Sequence, residues 1–299
     1  MVLAAGAIAL VVWVIPATAT DDAAMLVLDG TWERLTDPPF GSDSGAGVWT
    51  GETVLVVDVP TGRVASYDMA TGTWTELSDG PEGLGPERLG ATSPTVWTGR
   101  ELVLFDSMSG SGKGYAFDPE APTWREIAPV PIVEPRVAVL AGGLVVVGNR
   151  DRAVAAYDPD ADAWTELPRA PGAKRLEGLF WSGTEILAVT APNDLGGTSV
   201  ALLDLDSATW GSPNKGPLSS VISDEGLWVG DELMFASGTP NETVPGQIEN
   251  ASFNPSADAW TVLDLTCPIG SELGVWTGEL VVNALGLHAF GPATGQCDA

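Results

Sequence analysis

Along this chain an aromatic residue is followed, seven positions later, by a tryptophan, and the pattern recurs at a regular interval. Tyr67 and Trp74, Phe117 and Trp124, Tyr157 and Trp164, and Phe253 and Trp260 share the template, and Leu203 and Trp210 keep it with an aliphatic first member. The segment reads aromatic-Asp-Pro-x-x-x-Thr-Trp with local substitutions. A second anchor recurs beside the copies, as Trp49-Thr50-Gly51, Trp97-Thr98-Gly99, Trp181-Ser182-Gly183, Trp228-Val229-Gly230 and Trp276-Thr277-Gly278, while the copy around Tyr157 loses the tryptophan and reads Leu140-Ala141-Gly142-Gly143. Self-similarity at roughly 40–50 residues belongs to propellers, solenoids and arrays.

Residues 45–78 show how one copy is built. Gly45–Trp49 is a short extended run that ends in the turn Thr50-Gly51. Thr53–Val57 is β-branched and apolar throughout, as in a strand buried on both faces. Arg63–Tyr67 follows, then the turn Asp68–Gly72, and Trp74–Leu77 alternates polar with apolar, as in a strand with one wet face. Four short strands joined by Gly, Asp and Pro turns make one antiparallel sheet. No helical periodicity or capping pattern follows Pro16. The second strand recurs as Leu102–Phe105, Leu144–Val147, Ile186–Val189, Leu233–Phe235 and Leu280–Val282. A lone sheet of this size cannot bury both faces, so radial stacking must supply the partners, with the repeated aromatics as the packing between neighbours.

The expected fold is therefore all-β: a six-bladed β-propeller of four-stranded antiparallel blades. An orphan fourth strand, Thr31–Leu35, has no blade of its own at the N-terminus, and the last copy (271–291) has three strands with few residues after them. The expectation is that the strand around Trp32 pairs into the last blade and closes the ring. Residues 25–299 then form a single domain.

Val2–Ile15 is an apolar run, followed by Pro16 and the small-residue site Ala17-Thr18-Ala19. It is short for a membrane span, which needs about 20 residues, and it fits a secretory signal that lacks the usual basic segment. Residues 1–24 are read as a signal peptide or a weak membrane anchor, the latter giving loose membrane association. The expected location is extracellular or at the cell envelope. The only cysteines, Cys267 and Cys297, are expected to form one disulfide in an exported chain. Cys297 stands seven residues after Phe290, where other copies have tryptophan, and the closed loop would contribute about 3–4 kcal/mol in the chain-entropy model.

The formal net charge of −27 repels nucleic acid, whose binding needs Lys and Arg to neutralise phosphates. It disfavours anionic membrane surfaces for the same reason. The acidity reads first as a device for solubility.

The repeat resembles the kelch-type propellers, which include the family of the galactose oxidase central domain. The third-strand pairs Tyr67-Asp68, Phe117-Asp118 and Tyr157-Asp158 and the fourth-strand tryptophans after them carry the resemblance, over residues from about 28 to 297. Kelch repeats usually end the second strand in Gly-Gly; here those places hold Asp58-Val59, Asp106-Ser107, Gly148-Asn149 and Ser237-Gly238, so the branch is divergent. The fold inference survives this departure and the transfer of an activity does not. Copper-radical oxidation in the galactose oxidase family implies two histidines and two tyrosines at the metal. This chain has one histidine, His288, read here as a strand residue. No cofactor and no metal site is expected.

Other signals are weak. Asp158-Pro159-Asp160-Ala161-Asp162 opens like a calcium loop, but Ala163 and Arg169 stand where Gly and Glu are required. Ser109-Gly110-Ser111-Gly112-Lys113-Gly114 lacks the features of a phosphate-cradling loop and reads as a connection between strands. Arg88, Arg136 and Arg175 each precede the first strand of a blade, and together they are the candidate ligand site, for a carboxylate, sulfate or anionic sugar. Glu87, Glu134 and Glu177 lie close by in sequence and would serve either as salt-bridge partners or as catalytic bases. The first reading of function is a monomeric, non-catalytic binding or interaction module with a protein or carbohydrate ligand. The alternative is an enzyme acting on a carbohydrate or anionic metabolite at the channel mouth.

Overall fold

In the computed structural model the described residues are 39–40, 45–58, 61–68, 71–81, 93–107, 110–172, 174–191, 198–218, 226–236, 250–263, 275–276, 281–283, 288–291 and 296–298. All their regular structure is β, in six antiparallel sheets. The first sheet runs Gly45–Trp49 (β1), Thr53–Asp58 (β2), Arg63–Asp68 (β3), Thr73–Ser78 (β4). The second is Thr95–Trp97 (β5), Leu102–Phe105 (β6), Gly114–Asp118 (β7), Thr123–Glu126 (β8). The third is Val137–Ala141 (β9), Leu144–Gly148 (β10), Val154–Asp158 (β11), Ala163–Leu167 (β12). The fourth comprises Leu176–Trp181 (β13), Ile186–Thr190 (β14), Ser199–Asp204 (β15) and Thr209–Trp210 (β16), and Asn214–Lys215 (β17) pairs β15 as an extra strand. The fifth is Gly226–Val229 (β18), Glu232–Ala236 (β19), Asn250–Asn254 (β20), Ala259–Val262 (β21). The last is Val275–Trp276 (β22), Val281–Asn283 (β23), His288–Gly291 (β24), Gln296–Asp298 (β25). In every sheet the strands neighbour one another in chain order.

The last sheet differs from the expectation in one respect. Its fourth strand is β25, from the C-terminal end of the chain, where the sequence pattern suggested too few residues for a strand. Residues 31–35, expected to pair there, lie outside the described residues, as do 1–24 and Cys267. The backbone of Cys297 pairs with Phe290, the register place that tryptophan holds in other sheets.

The residues form two compact units, one reaching to Arg136 and including Asp158–Trp164, the other comprising Val137–Tyr157 and everything from Thr165 on. In the first unit Leu55, Val57 and Val64 of one sheet pack with Leu102, Leu104 and Phe117 of the next. In the second, Val146, Val154 and Ala156 pack with Leu179, Ile186 and Leu203, while Leu187, Val189 and Val200 pack with Leu233, Phe235 and Phe253. Within each unit these sheets cover each other's faces, and first strands of consecutive sheets approach one another: β1 with β5, β9 with β13, β18 with β22. The second strands β6 and β14 are buried along their whole length, as an apolar run in mid-sheet requires.

The two sequence repeats are turn chemistry. Seven residues is the separation that makes aromatic and tryptophan direct cross-strand partners: Tyr67 faces Trp74, Phe117 faces Trp124, Leu203 faces Trp210 and Phe253 faces Trp260. Their rings meet in tilted contact, with centroids 4.9 Å apart for Tyr67–Trp74 and 5.2 Å for Phe117–Trp124. The Asp after the aromatic folds the turn between them by accepting backbone N–H groups within it, as Asx turns do. Asp68 Oδ1 accepts from Thr71 N at 3.1 Å, Asp118 Oδ1 from Glu120 N at 2.8 Å, and Asp158 Oδ1 from Asp160 N at 2.9 Å. Asp204 takes both the N–H and the hydroxyl of Ser207, and these bonds hold its carboxyl below the ordinary 3.8. A depressed folded value means the stabilisation is present above pH 3.8 and is lost as pH falls through the lowered value.

The other anchor works similarly. Thr50, Thr98 and Ser182 each accept, through the hydroxyl, the N–H three residues on, at 3.1, 2.9 and 2.9 Å. The glycines that follow them have φ of 104, 96 and 97°, which side-chain-bearing residues avoid.

Four residues after the turn aspartate or asparagine the backbone enters the left-handed region, at Gly72, Asp162, Ala208 and Asp258. Ala208, at φ 50°, has no side-chain hydrogen bond to offset the strain. Ala208→Gly is expected to raise stability by about 0.5–1 kcal/mol and Gly72→Ala to lower it by a similar amount, read from urea midpoints.

Tryptophan also ties one sheet to the previous one. Trp164 Nε1 donates to Ala128 O at 2.8 Å and Trp210 Nε1 to Pro168 O at 2.7 Å, in each case the carbonyl four residues after the preceding sheet's tryptophan. The Trp124 indole N–H is buried with no hydrogen-bond partner among the described residues. Trp164→Phe should therefore cost about 1–2 kcal/mol more than Trp124→Phe. Equal losses in chemical denaturation would contradict that role for the indole bond.

Candidate functional site

An antiparallel sheet of four strands has two edges. One carries the β-turns between strands one and two and between three and four; the other carries the longer connections. Among the described residues the basic side chains divide unevenly between them. Arg100 and Arg125 serve the turn edge, where they are bound to acids. Arg125 grips the buried Glu101 with two bonds, at 3.1 and 2.8 Å, and Arg100 reaches Asp160 at 3.2 Å. Arg63, Lys113, Arg136, Arg150, Arg152, Arg169, Lys174, Arg175 and Lys215 all lie at the connection edge. The turn-edge aspartates are occupied in shaping turns.

The calcium-like segment is one of these turns. Asp158 caps it, Asp160 meets Arg100, and Asp162 Oδ1 accepts from Ala128 N at 3.0 Å. The glycine-rich segment is a connection: Ser111 Oγ donates to Asp106 Oδ2 at 2.5 Å, and Lys113 pairs with Glu126 at 2.7 Å. Where kelch repeats place Gly-Gly, polar side chains take over the shaping of the loop. Asp58 accepts from the Thr61 hydroxyl, Asp106 from Ser111, and Asn149 Oδ1 from Ala153 N at 3.0 Å.

Of the three arginines singled out from sequence, Arg88 lies outside the described residues. Arg136, in the first unit, has its guanidinium 4.0 Å from Glu134, a residue held at φ 50°. Arg175, in the second, donates through Nε to Glu177 Oε1 at 3.1 Å. Glu177 is buried and sits at a β-bulge between Leu176 and Gly178. His288 occupies β24, opposite Asn283.

Sequence reasoning passed over the neighbours of Arg175. Arg150 and Arg152 occupy the β10–β11 connection and Arg169 and Lys174 the β12–β13 connection, and backbone bonds tie the two together. Ala170 N donates to Arg152 O at 2.9 Å and Leu176 N to Arg150 O at 3.3 Å, and Arg169 Nε donates to Asp151 O at 2.5 Å. Five of the chain's 13 Lys and Arg residues lie on this one edge. The concentration of basic residues between 150 and 175, in a chain so acidic, was the available signal.

Gly172 holds the second connection in place. Its φ is 135°, and a Cβ there would stand 2.5 Å from Thr190 Oγ1 and 2.8 Å from Thr190 Cγ2. Thr190 is itself buried and bonded to Ser199, at 3.0 Å. Gly172→Ala is expected to cost about 2 kcal/mol from backbone strain and overpacking; an unchanged thermal midpoint would show that the connection is not clamped there.

No protein-family profile matches the chain. A curated protein, the Kelch-like protein terF of Aspergillus terreus, is 21% identical over 267 residues. The match covers 80% of this chain, which spans 57% of that relative's length. Among solved structures, that of YjhT, a kelch-type propeller, matches with a TM-score of 0.53 at 16% identity, over 86% of this chain and 93% of that one. At such identity the likeness bears on the fold alone.

Proposed function

We propose that this chain, a divergent kelch-type β-propeller, is a non-catalytic binding module that acts outside the cytoplasm or at the cell envelope. In this reading the six sheets are six blades, closed by the N-terminal strand around Trp32 pairing into the last blade. Connections at one edge recognise a protein or carbohydrate, and the molecule works as a monomer with Cys267 bonded to Cys297. The observation that carries the reading is the occupation of the candidate acids among the described residues, Glu87 lying outside them. The turn aspartates accept backbone N–H groups, Glu101 is held by Arg125, Glu134 lies beside Arg136 and Glu177 accepts from Arg175. Groups so engaged shape a surface; a general base needs a lone pair directed at substrate. Connections of variable length on a rigid sheet are the usual seat of recognition.

One observation favours the enzymatic alternative. Glu177 is buried at a bulge with a guanidinium beside it, and bulges re-aim side chains near active sites. A base at Glu177 with Arg175 holding an anionic group would suit an acidic sugar or related metabolite. The two readings separate in a thermal-shift panel of sugars, sugar acids and organic acids on the full chain, followed by NMR of each bound ligand. The binding module predicts a ligand recovered unchanged, with similar affinity for Glu177→Gln. Conversion of the ligand that Glu177→Gln abolishes would establish the enzyme instead.

A further inference from the structure

We propose that the open side of β21, the last strand of the fifth sheet, is a docking site where an extended, Lys- or Arg-bearing segment of a partner protein adds as a further strand. This surface is separate from the connections discussed above, and its failure would leave the binding-module reading intact.

The first ground is what the other fourth strands carry and β21 lacks. A strand at the side of a sheet offers unpaired N–H and C=O groups to any extended chain, and proteins guard such strands with charge, proline or a bulge. β4 has Glu76, paired with Arg63, and a register shift between Val64 and Ala65 of its partner. β8 has Glu126, paired with Lys113. β12 has the exposed Glu166 and is followed by Pro168, β16 stops after two residues ahead of Pro213, and β25 carries Asp298. β21 reads Ala259-Trp260-Thr261-Val262, in unbroken register with β20. It has no charge, no proline and no bulge. Val262 stands two places after its tryptophan, where the first three sheets have glutamate, and it is 52% exposed.

Backbone geometry is the second ground. In the second sheet Ile127 N donates to Gly114 O at 3.0 Å, and in the fourth Gly211 N donates to Leu202 O at 2.8 Å. Residues one and three places after the tryptophan therefore bond inward to the third strand. An antiparallel ladder alternates, so the same register in β21 turns the N–H and C=O of Trp260 and Val262 outward. Among the described residues β21 is the terminal strand of its sheet. An added strand would bond to those groups and pack a side chain beside Val262.

Charge names the occupant. All 13 Lys and Arg residues of the chain lie at or before Lys215, and residues 216–299 hold none. On the turn edge of the fifth sheet Asp231 and Asp258 are exposed and Glu232 is half-buried. Each is held by a neutral group: Asn254 Nδ2 donates to Asp231 at 3.4 Å, Asn214 Nδ2 to Asp258 at 3.1 Å, and the Ser252 hydroxyl to Glu232. The matching acid of the second sheet, Glu101, is instead gripped by Arg125. Acidic charge beside the one unguarded strand favours a cationic segment. A second copy of this chain would bring another net charge of −27 and set like charges side by side, which destabilises strand pairing.

The test is fluorescence anisotropy of a labelled peptide that alternates lysine with valine, titrated with the full chain. A second peptide has proline in place of its central valine and the same charge. The wild type should bind the first peptide and not the second, which lacks a donor for the ladder. Val262→Lys should weaken binding by about tenfold or more, while Thr75→Lys, which adds the same charge to the side strand of the first sheet, should leave it unchanged. Val262→Pro removes an outward N–H and no inward bond, so it should weaken binding as well. If that variant fails to unfold cooperatively, Val262→Lys, at an exposed position, carries the test alone. No binding, equal binding of the two peptides, or equal binding by wild type and Val262→Lys would overturn the site. So would a wild-type dimer that Val262→Lys converts to monomer, because the strand would then belong to a second copy.

Discussion

The pairing of a third-strand aromatic with the tryptophan across the turn is the interaction on which the remaining structure depends. Each ring pair covers sheet surface that four short strands leave open, and the aspartate between them makes the turn tight enough for the rings to face. The indole N–H of Trp164 and Trp210 then reaches the exit of the preceding sheet, so one residue type serves pairing within a sheet and attachment between sheets. Cross-strand aromatic pairs contribute roughly 0.2–1 kcal/mol each. Repetition, not any single contact, makes the scaffold firm.

A scaffold built this way commits one edge of each sheet to structure. The turn edge uses its aspartates, threonines and glycines to close hairpins, and its arginines to bind acids such as Glu101. The connection edge is under no such demand. There Asp58, Asp106 and Asn149 replace the glycines of typical kelch repeats and shape each connection by its own side-chain bond. Loops that need no common residue are free to diverge, and in this chain most of the described basic side chains have accumulated on them. Recognition at that edge is what such freedom permits.

The architecture was largely legible in the residues because its signals are local. A spacing of seven, an Asp after an aromatic and a Thr-Gly after a Trp are all consequences of hydrogen bonds closed within a few residues. Strand two could be read from its unbroken apolar run, and strand four from its alternation. The strand Gln296–Asp298 escaped the reading because it is short and carries Cys297 where the pattern expects tryptophan. The candidate site was less legible. Arg136 and Arg175 were visible, but their engagement by Glu134 and Glu177 depends on side-chain direction at a turn and at a bulge, which no spacing announces.

What the sequence determined alone is the repeating unit: four strands, two kinds of turn and an aromatic pair, all set by interactions between residues close in the chain. Tertiary structure decided which of these units share a core, which indoles find a carbonyl, and which cations share an edge. Arg150 and Arg175 are 25 positions apart, and only the backbone bonds between two connections bring them to one edge. Contacts of that range depend on how twisted sheets pack face against face, and that packing is a property of the assembled core, not of any one segment within it.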